Sequence, residues 1–128
     1  DQTWQWTGES AAAAVRPARD FRIRSALRLL DDHLGETIDL ARVSRAAGLS
    51  RPHFFKLFRE QVGLPPTLYM NALRMERAIE RLARGTETVA DIGFDLGFST
   101  PASFSRFFIA NGVVPPSVYR RSVRALSH

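Results

Sequence analysis

Apolar residues recur along the chain at three- and four-residue steps, in blocks separated by glycine and proline. That is the pattern of amphipathic helices joined by tight turns. The first block sets Ile23, Leu27, Leu30 and Leu34 on one stripe and ends at Gly35. Asp39 can then accept from the free amides of a second helix, which turns Leu40, Val43 and Ala47 inward. Gly48-Leu49-Ser50 reads as a turn closing on a cap residue, and a positive φ, or too little room for a side chain, is expected at Gly48. Phe54, Leu57, Phe58 and Val62 mark a third helix, stopped at Gly63. Pro66 suits the first residue of a long helix, where an amide hydrogen would have no partner. Leu68, Ala72, Met75, Ile79 and Leu82 follow it as far as Arg84-Gly85. Thr88 to Asp91 has the spacing of a capping box. Behind it Val89, Ile92 and Leu96 face inward, and Gly97-Phe98-Ser99 turns the chain, again with a positive φ or too little room for a side chain expected. Phe104, Phe107 and Phe108 share a face of the next helix, and Pro116 opens a last one containing Tyr119. The expected fold class is all-α, with about seven helices and no strands.

The second half of this pattern repeats the first. Leu40, Val43, Gly48 and Ser50 align with Val89, Ile92, Gly97 and Ser99 at one constant offset. After one extra residue in the second turn, Phe54, Phe58, Pro66 and Tyr69 align with Phe104, Phe108, Pro116 and Tyr119. A short helix, a glycine turn and a second helix with an inward aromatic make a helix-turn-helix unit. The boundaries follow: a first unit over 21–65, a linker helix over 66–84 and a second unit over 85–128. Residues 1–20, which include Trp4 and Trp6, show no period and read as a linker or cloning remnant, with docking of the tryptophans as the alternative.

Charge adds a partner to this picture. The formal net charge is +5, and of the 18 basic residues all but Lys56 are arginine. Between Ala41 and Arg84 bases far outnumber Glu60, Glu76 and Glu80; from Gly85 to Gly112 Arg106 stands alone against Glu87, Asp91 and Asp95. A polyanion would meet the first half first, and arginine forks suit phosphate and guanine. The linker helix would span roughly 28 Å at about 1.5 Å per residue, close to the ~34 Å of one DNA turn. One chain could then hold two recognition helices near adjacent major grooves.

Over Phe21 to about Arg121 the sequence resembles the AraC/XylS family of bacterial transcription regulators. The resemblance is carried by the run from Val89 through Phe98-Ser99, by Phe104 to Phe108 and by Pro116 to Arg120. It is carried also by Ala47 to Ser50, Phe58, Gly63, Pro66, Arg74 and Ala78. Departures are Gly112-Val113 where the family has an apolar residue before glycine, Pro65 and Pro115 at cap positions, and Gly93 for a usual alanine. A glycine there should loosen its helix by up to ~1 kcal/mol.

The resemblance implies double-stranded promoter DNA as partner, with base contacts at positions matching Pro52, Phe55 and Lys56 and, in the second unit, Pro101, Ala102, Ser105 and Arg106. Lys56 and Arg106 can reach guanine, and Phe55 a thymine methyl; packing against the protein is the alternative for Phe55. Arg51, His53 and Arg59 are expected at phosphates or as surface charges, and Thr100 and Ser103 as caps or phosphate contacts. For Arg106 the alternative is an ion pair with Asp91 or Asp95. Arg120, Arg121 and Arg124 could reach the backbone or form a solvated tail.

The resemblance further implies contact with RNA polymerase and a separate sensor or dimerisation domain. The rival reading is a protein-interaction module docking on polymerase or another regulator. With no cysteine, no metal-like spacing among His33, His53 and His128 and no phosphate-cradling glycine loop, neither an enzyme nor a cofactor or metal site is expected. Nor is a membrane partner expected; the absence of cysteine fits a reducing cytoplasm, and the DNA-binding reading implies nucleoid association there.

Overall fold

The computed structural model describes residues 18–36, 38–112 and 114–126. The reading of residues 1–17, with Trp4 and Trp6, and the departure at Val113 lie outside them. Among the described residues there are seven helices and no strand: α1 (Phe21–Asp32), α2 (Leu40–Ala46), α3 (Arg51–Val62), α4 (Pro66–Arg84), α5 (Val89–Asp95), α6 (Pro101–Gly112) and α7 (Pro116–Leu126).

Short polar side chains start these helices as the sequence suggests. Asp39 accepts from the Ala41 amide at 3.0 Å, Ser50 from His53 at 3.3 Å and Thr88 from Asp91 at 3.1 Å. Pro65 makes no side-chain cap for α4. Ahead of α1, Asp20 caps Arg22, and the amides of Arg19 and Asp20 both donate to Gln61 Oε1. The chain is therefore tied to the body just before Phe21.

Two cores form, one under each helix-turn-helix unit. Ile23, Ala26, Leu30, Val43, Phe54, Phe58 and Val62 fill the first; Ile92, Leu96, Phe104 and Phe108 fill much of the second. The helix α4 serves both, giving Met70 to the first core and Leu73, Met75, Ala78 and Leu82 to the second. The repeat is spatial as well as sequential. Phe58 meets Tyr69 with ring centroids 5.9 Å apart, and Phe108 meets Tyr119 at 5.8 Å.

Two local expectations are corrected. The first helix ends at Asp32, where His33 donates back to Leu29, so Leu34 leaves the stripe it was assigned to. Its side chain, 2% exposed, packs in the second core instead. Gly93 is also more than a weak helix residue. A Cβ there would stand 2.9 Å from the Cβ of buried Phe104, so the missing side chain lets α6 lie close on α5. The propensity cost is offset by that close packing.

Both turn glycines have the expected left-handed backbone, with φ of 75° at Gly48 and 99° at Gly97. The C-terminus of α4 is closed by Gly85, also left-handed, and by two arginines of α7. Arg120 Nε donates to the Leu82 carbonyl at 3.2 Å, and Arg124 Nη2 to the Gly85 carbonyl at 3.1 Å. Carbonyls at a helix end lack partners within the helix, and cations there oppose the negative end of its dipole. Arg120 and Arg124 thus help to close the end of α4 in this fold.

Candidate nucleic-acid interface

Each unit pairs a short inner helix with a second helix that shows one face to solvent. Along α3 the buried residues Phe54, Phe58 and Val62 repeat at the helical period. That leaves Arg51, Pro52, His53, Lys56 and Arg59 exposed on the other side. Along α6, Phe104 and Phe108 are buried while Pro101, Ala102 and Arg106 are exposed and Ser105 is half-buried. Lys56 and Arg106 occupy the same register, each midway between two inward phenylalanines. The two equivalent helices therefore each present a long cation at this position, and α3 adds Arg51 and Arg59. No acidic residue lies in the first turn of either helix, so the positive ends of both dipoles are unopposed there.

Some of the expected contact residues carry local duties as well. Phe55 is half-buried, packs edge-on to Phe54 at 6.0 Å and lies under the Arg51 guanidinium, 5.4 Å from the ring centroid. The ring and the cation hold each other in place, an attraction of about 0.5–1 kcal/mol at exposed sites. Thr100 and Ser103 cap α6 reciprocally. Ser103 N donates to Thr100 Oγ1 at 3.0 Å, Thr100 N to Ser103 Oγ at 3.3 Å, and Ser103 Oγ to the Thr100 carbonyl at 2.8 Å. A serine hydroxyl has a single proton, so Ser103 has no donor left for a phosphate, whereas Thr100 keeps one.

The ion-pair alternative for Arg106 is not realised. Arg106 makes no ion pair or hydrogen bond among the described residues, and Asp95 is taken by Arg81 Nη2 at 2.7 Å. The same arginine, on α4, also donates to both carboxylate oxygens of Glu87 through Nε and Nη2. Two of the acids that counted against the second unit are thereby neutralised from the linker helix. This network was not visible in the sequence, because Arg81 and Asp95 belong to different helices and only the packing of α5 on α4 brings them together.

That pair makes a pH-dependent contribution. The hydrogen bond from Arg81, and then its charge, holds the Glu87 carboxyl below the usual carboxylate range despite some desolvation. The unfolded chain takes up the proton more readily. The stability contributed is therefore full above about pH 4.3 and is lost as pH falls toward the depressed folded-state value. Glu87→Gln is expected to lower the melting temperature at neutral pH. The gap to the wild type should close as pH is lowered below the usual carboxylate range; a gap constant from neutral to strongly acid pH would contradict this.

Among the described residues no group of three or more His, Asp or Glu side chains could hold a metal ion, and no helix is long and apolar enough to cross a membrane.

Comparison with known proteins adds the following. The profile of the helix-turn-helix domain family matches residues 43–122. The regulatory protein PocR of Salmonella typhimurium is 33% identical over 109 residues, covering 85% of this chain and 36% of that protein. The transcriptional activator RhaS of Klebsiella pneumoniae is 31% identical over 100 residues, covering 78% of this chain and 36% of that protein. The chain thus spans little more than a third of either relative. Among solved structures, the DNA-binding domain of AdpA in complex with a target DNA superposes with a TM-score of 0.75. It shares 24% identity over 82% of this chain and 95% of that one. An AraC-type regulator from Chromobacterium violaceum gives 0.70 at 24% identity, over 80% and 91% of the two chains. At these identities the two structures bear on the fold.

Proposed function

The chain belongs to the AraC/XylS family of helix-turn-helix transcription regulators, and from that premise we propose that it binds double-stranded DNA sequence-specifically, with α3 and α6 in successive major grooves. The observation that carries this reading is the pair of equivalent helices, each with an exposed cation in the same register, in two units that share a 19-residue linker helix. In this reading Lys56 and Arg106 touch base edges, and Pro52, Phe55, Pro101, Ala102 and Ser105 shape the apolar surface around them. Arg51, His53, Arg59 and Thr100 hold phosphates. Ser103 serves as a cap. Reading in the second half-site rests chiefly on Arg106, supported by methyl contacts and DNA shape.

Arg106→Ala tests the base contact. It is expected to cost ~1–3 kcal/mol on the preferred duplex and to relax the choice of one base pair. Affinities on that duplex and on copies changed one pair at a time, at fixed salt, measure this. A uniform loss on every duplex would assign Arg106 to phosphate instead.

A protein contact is a second reading with its own observation. An apolar cleft of about 320 Å³ lies between α1 and α2, with Phe21 66% exposed at its edge, and neither recognition helix lines it. RNA polymerase, or the sensor or dimerisation domain of a longer protein, is the partner proposed for it.

A further inference from the structure

Near the middle of α4, half-buried, the Arg74 side chain reaches both helix-turn-helix units at once. Its Nε donates to the carbonyl of Leu96 at 3.3 Å, and its Nη2 to the carbonyl of Leu34 at 3.5 Å. Leu96 caps the C-terminus of α5 in the second unit; Leu34 lies in the link between α1 and α2 of the first. The contact is continued by backbone. A side chain built on Gly35 would overlap the Asp95 carbonyl oxygen, and a Cβ on Gly97 would stand 3.4 Å from the Gly35 carbonyl oxygen. Leu34 itself is buried in the core of the second unit. So the link leaving α1 is pressed against the turn after α5, and one guanidinium is bonded to both.

We infer that Arg74 fixes the orientation of the two units relative to each other, and so sets the half-site spacing that the protein accepts. The inference rests on the DNA-binding reading for its second half only. The physical argument is one of geometry. Rotation of the second unit about α4 would carry Leu96 away from Leu34, and a planar fork bonded to both carbonyls resists that motion. A lysine ammonium on a flexible stem would supply a charge without the fixed plane. A further side-chain tie, Arg77 to Asp31 at 2.6 Å, joins α4 to α1 and is well exposed. It bonds to neither of the two segments that Arg74 bridges.

The test uses the whole chain and two readouts. Residual dipolar couplings report the orientation of each unit without DNA. The wild type should fit one shared alignment; Arg74→Lys and Arg74→Met should each need two. Gly35→Ala should do the same with Arg74 intact, because its methyl group pries the same contact apart. The second readout is affinity for the selected duplex and for copies with 1, 2 or 5 base pairs inserted between half-sites. Each inserted pair turns the second site by about a tenth of a helical turn. The wild type should lose roughly tenfold or more on insertion, in the range of a mismatched base pair. The variants should bind the parental duplex within a few-fold of the wild type and lose much less on insertion.

Variants that keep one alignment and the wild-type insertion profile, with only a lower melting temperature, would overturn the inference and leave Arg74 a stabilising residue. A wild type that binds no duplex would refute the DNA-binding reading and the spacing role with it, while the alignment data would still decide the coupling.

Discussion

Raising the salt concentration from about 50 to about 200 mM should weaken binding to the preferred duplex roughly 10³- to 10⁴-fold. The figure follows if about five to eight phosphates are neutralised, because each releases condensed counterions and the slope of log affinity against log salt becomes about −4.5 to −7. Arg51, Lys56 and Arg59 are exposed on α3, and in the proposed reading they would form the centre of that contact. On α6 Arg106 is the one basic residue that would add to it, while Arg120 and Arg124 of α7 each place one nitrogen at the end of α4. Most of the salt dependence should therefore come from the first unit. Arg59→Ala should weaken all duplexes alike and flatten the slope by about one unit. A slope near zero in equilibrium titrations would remove the electrostatic basis of the account.

The second large effect is on stability. Phe104→Ala should cost about 3–5 kcal/mol, the range for emptying a fully buried aromatic site. Phe104 is 0% exposed, stacks near Phe98 and Phe108, and has Gly93 packed against its Cβ. The helix α5 meets it there through backbone, so the site cannot collapse easily around the cavity. Denaturant unfolding of the variant measures the loss. A cost under about 1 kcal/mol would mean that α6 can repack, and that its recognition face is not rigidly held.

How these elements came to be legible differs from residue to residue. Caps and stops act locally, so Asp39, Ser50 and Thr88, Gly48 and Gly97 announce themselves by type and position. The inward faces of α3 and α6 follow from the period of their phenylalanines, and the outward faces from what is left over. The places where the sequence misleads are those where two distant segments meet. Leu34 fits the stripe of α1 by spacing, yet the chain turns after Asp32 and delivers it to the other core. Gly93 looks like a flaw in a helix until Phe104 is seen lying against it. Arg120 and Arg124 look like a cationic tail, although their four-residue spacing already puts them on one face of α7. The carbonyls at the end of α4 needed some such donors, and that was the available signal. Arg74 and Arg81 gave no local sign of their roles, because their partners come from other helices.

The measurement closest to the central claim is selection of bound duplexes from a random library by this chain. Two recognition helices on one rigid frame should enrich a site with two short blocks of preferred sequence, centred about 10–10.5 base pairs apart on one face of the duplex. The block read by α6 should contain the position whose preference is lost in Arg106→Ala. Enrichment of a single short block would mean that only one helix reads DNA, and no enriched sequence at all would contradict the account.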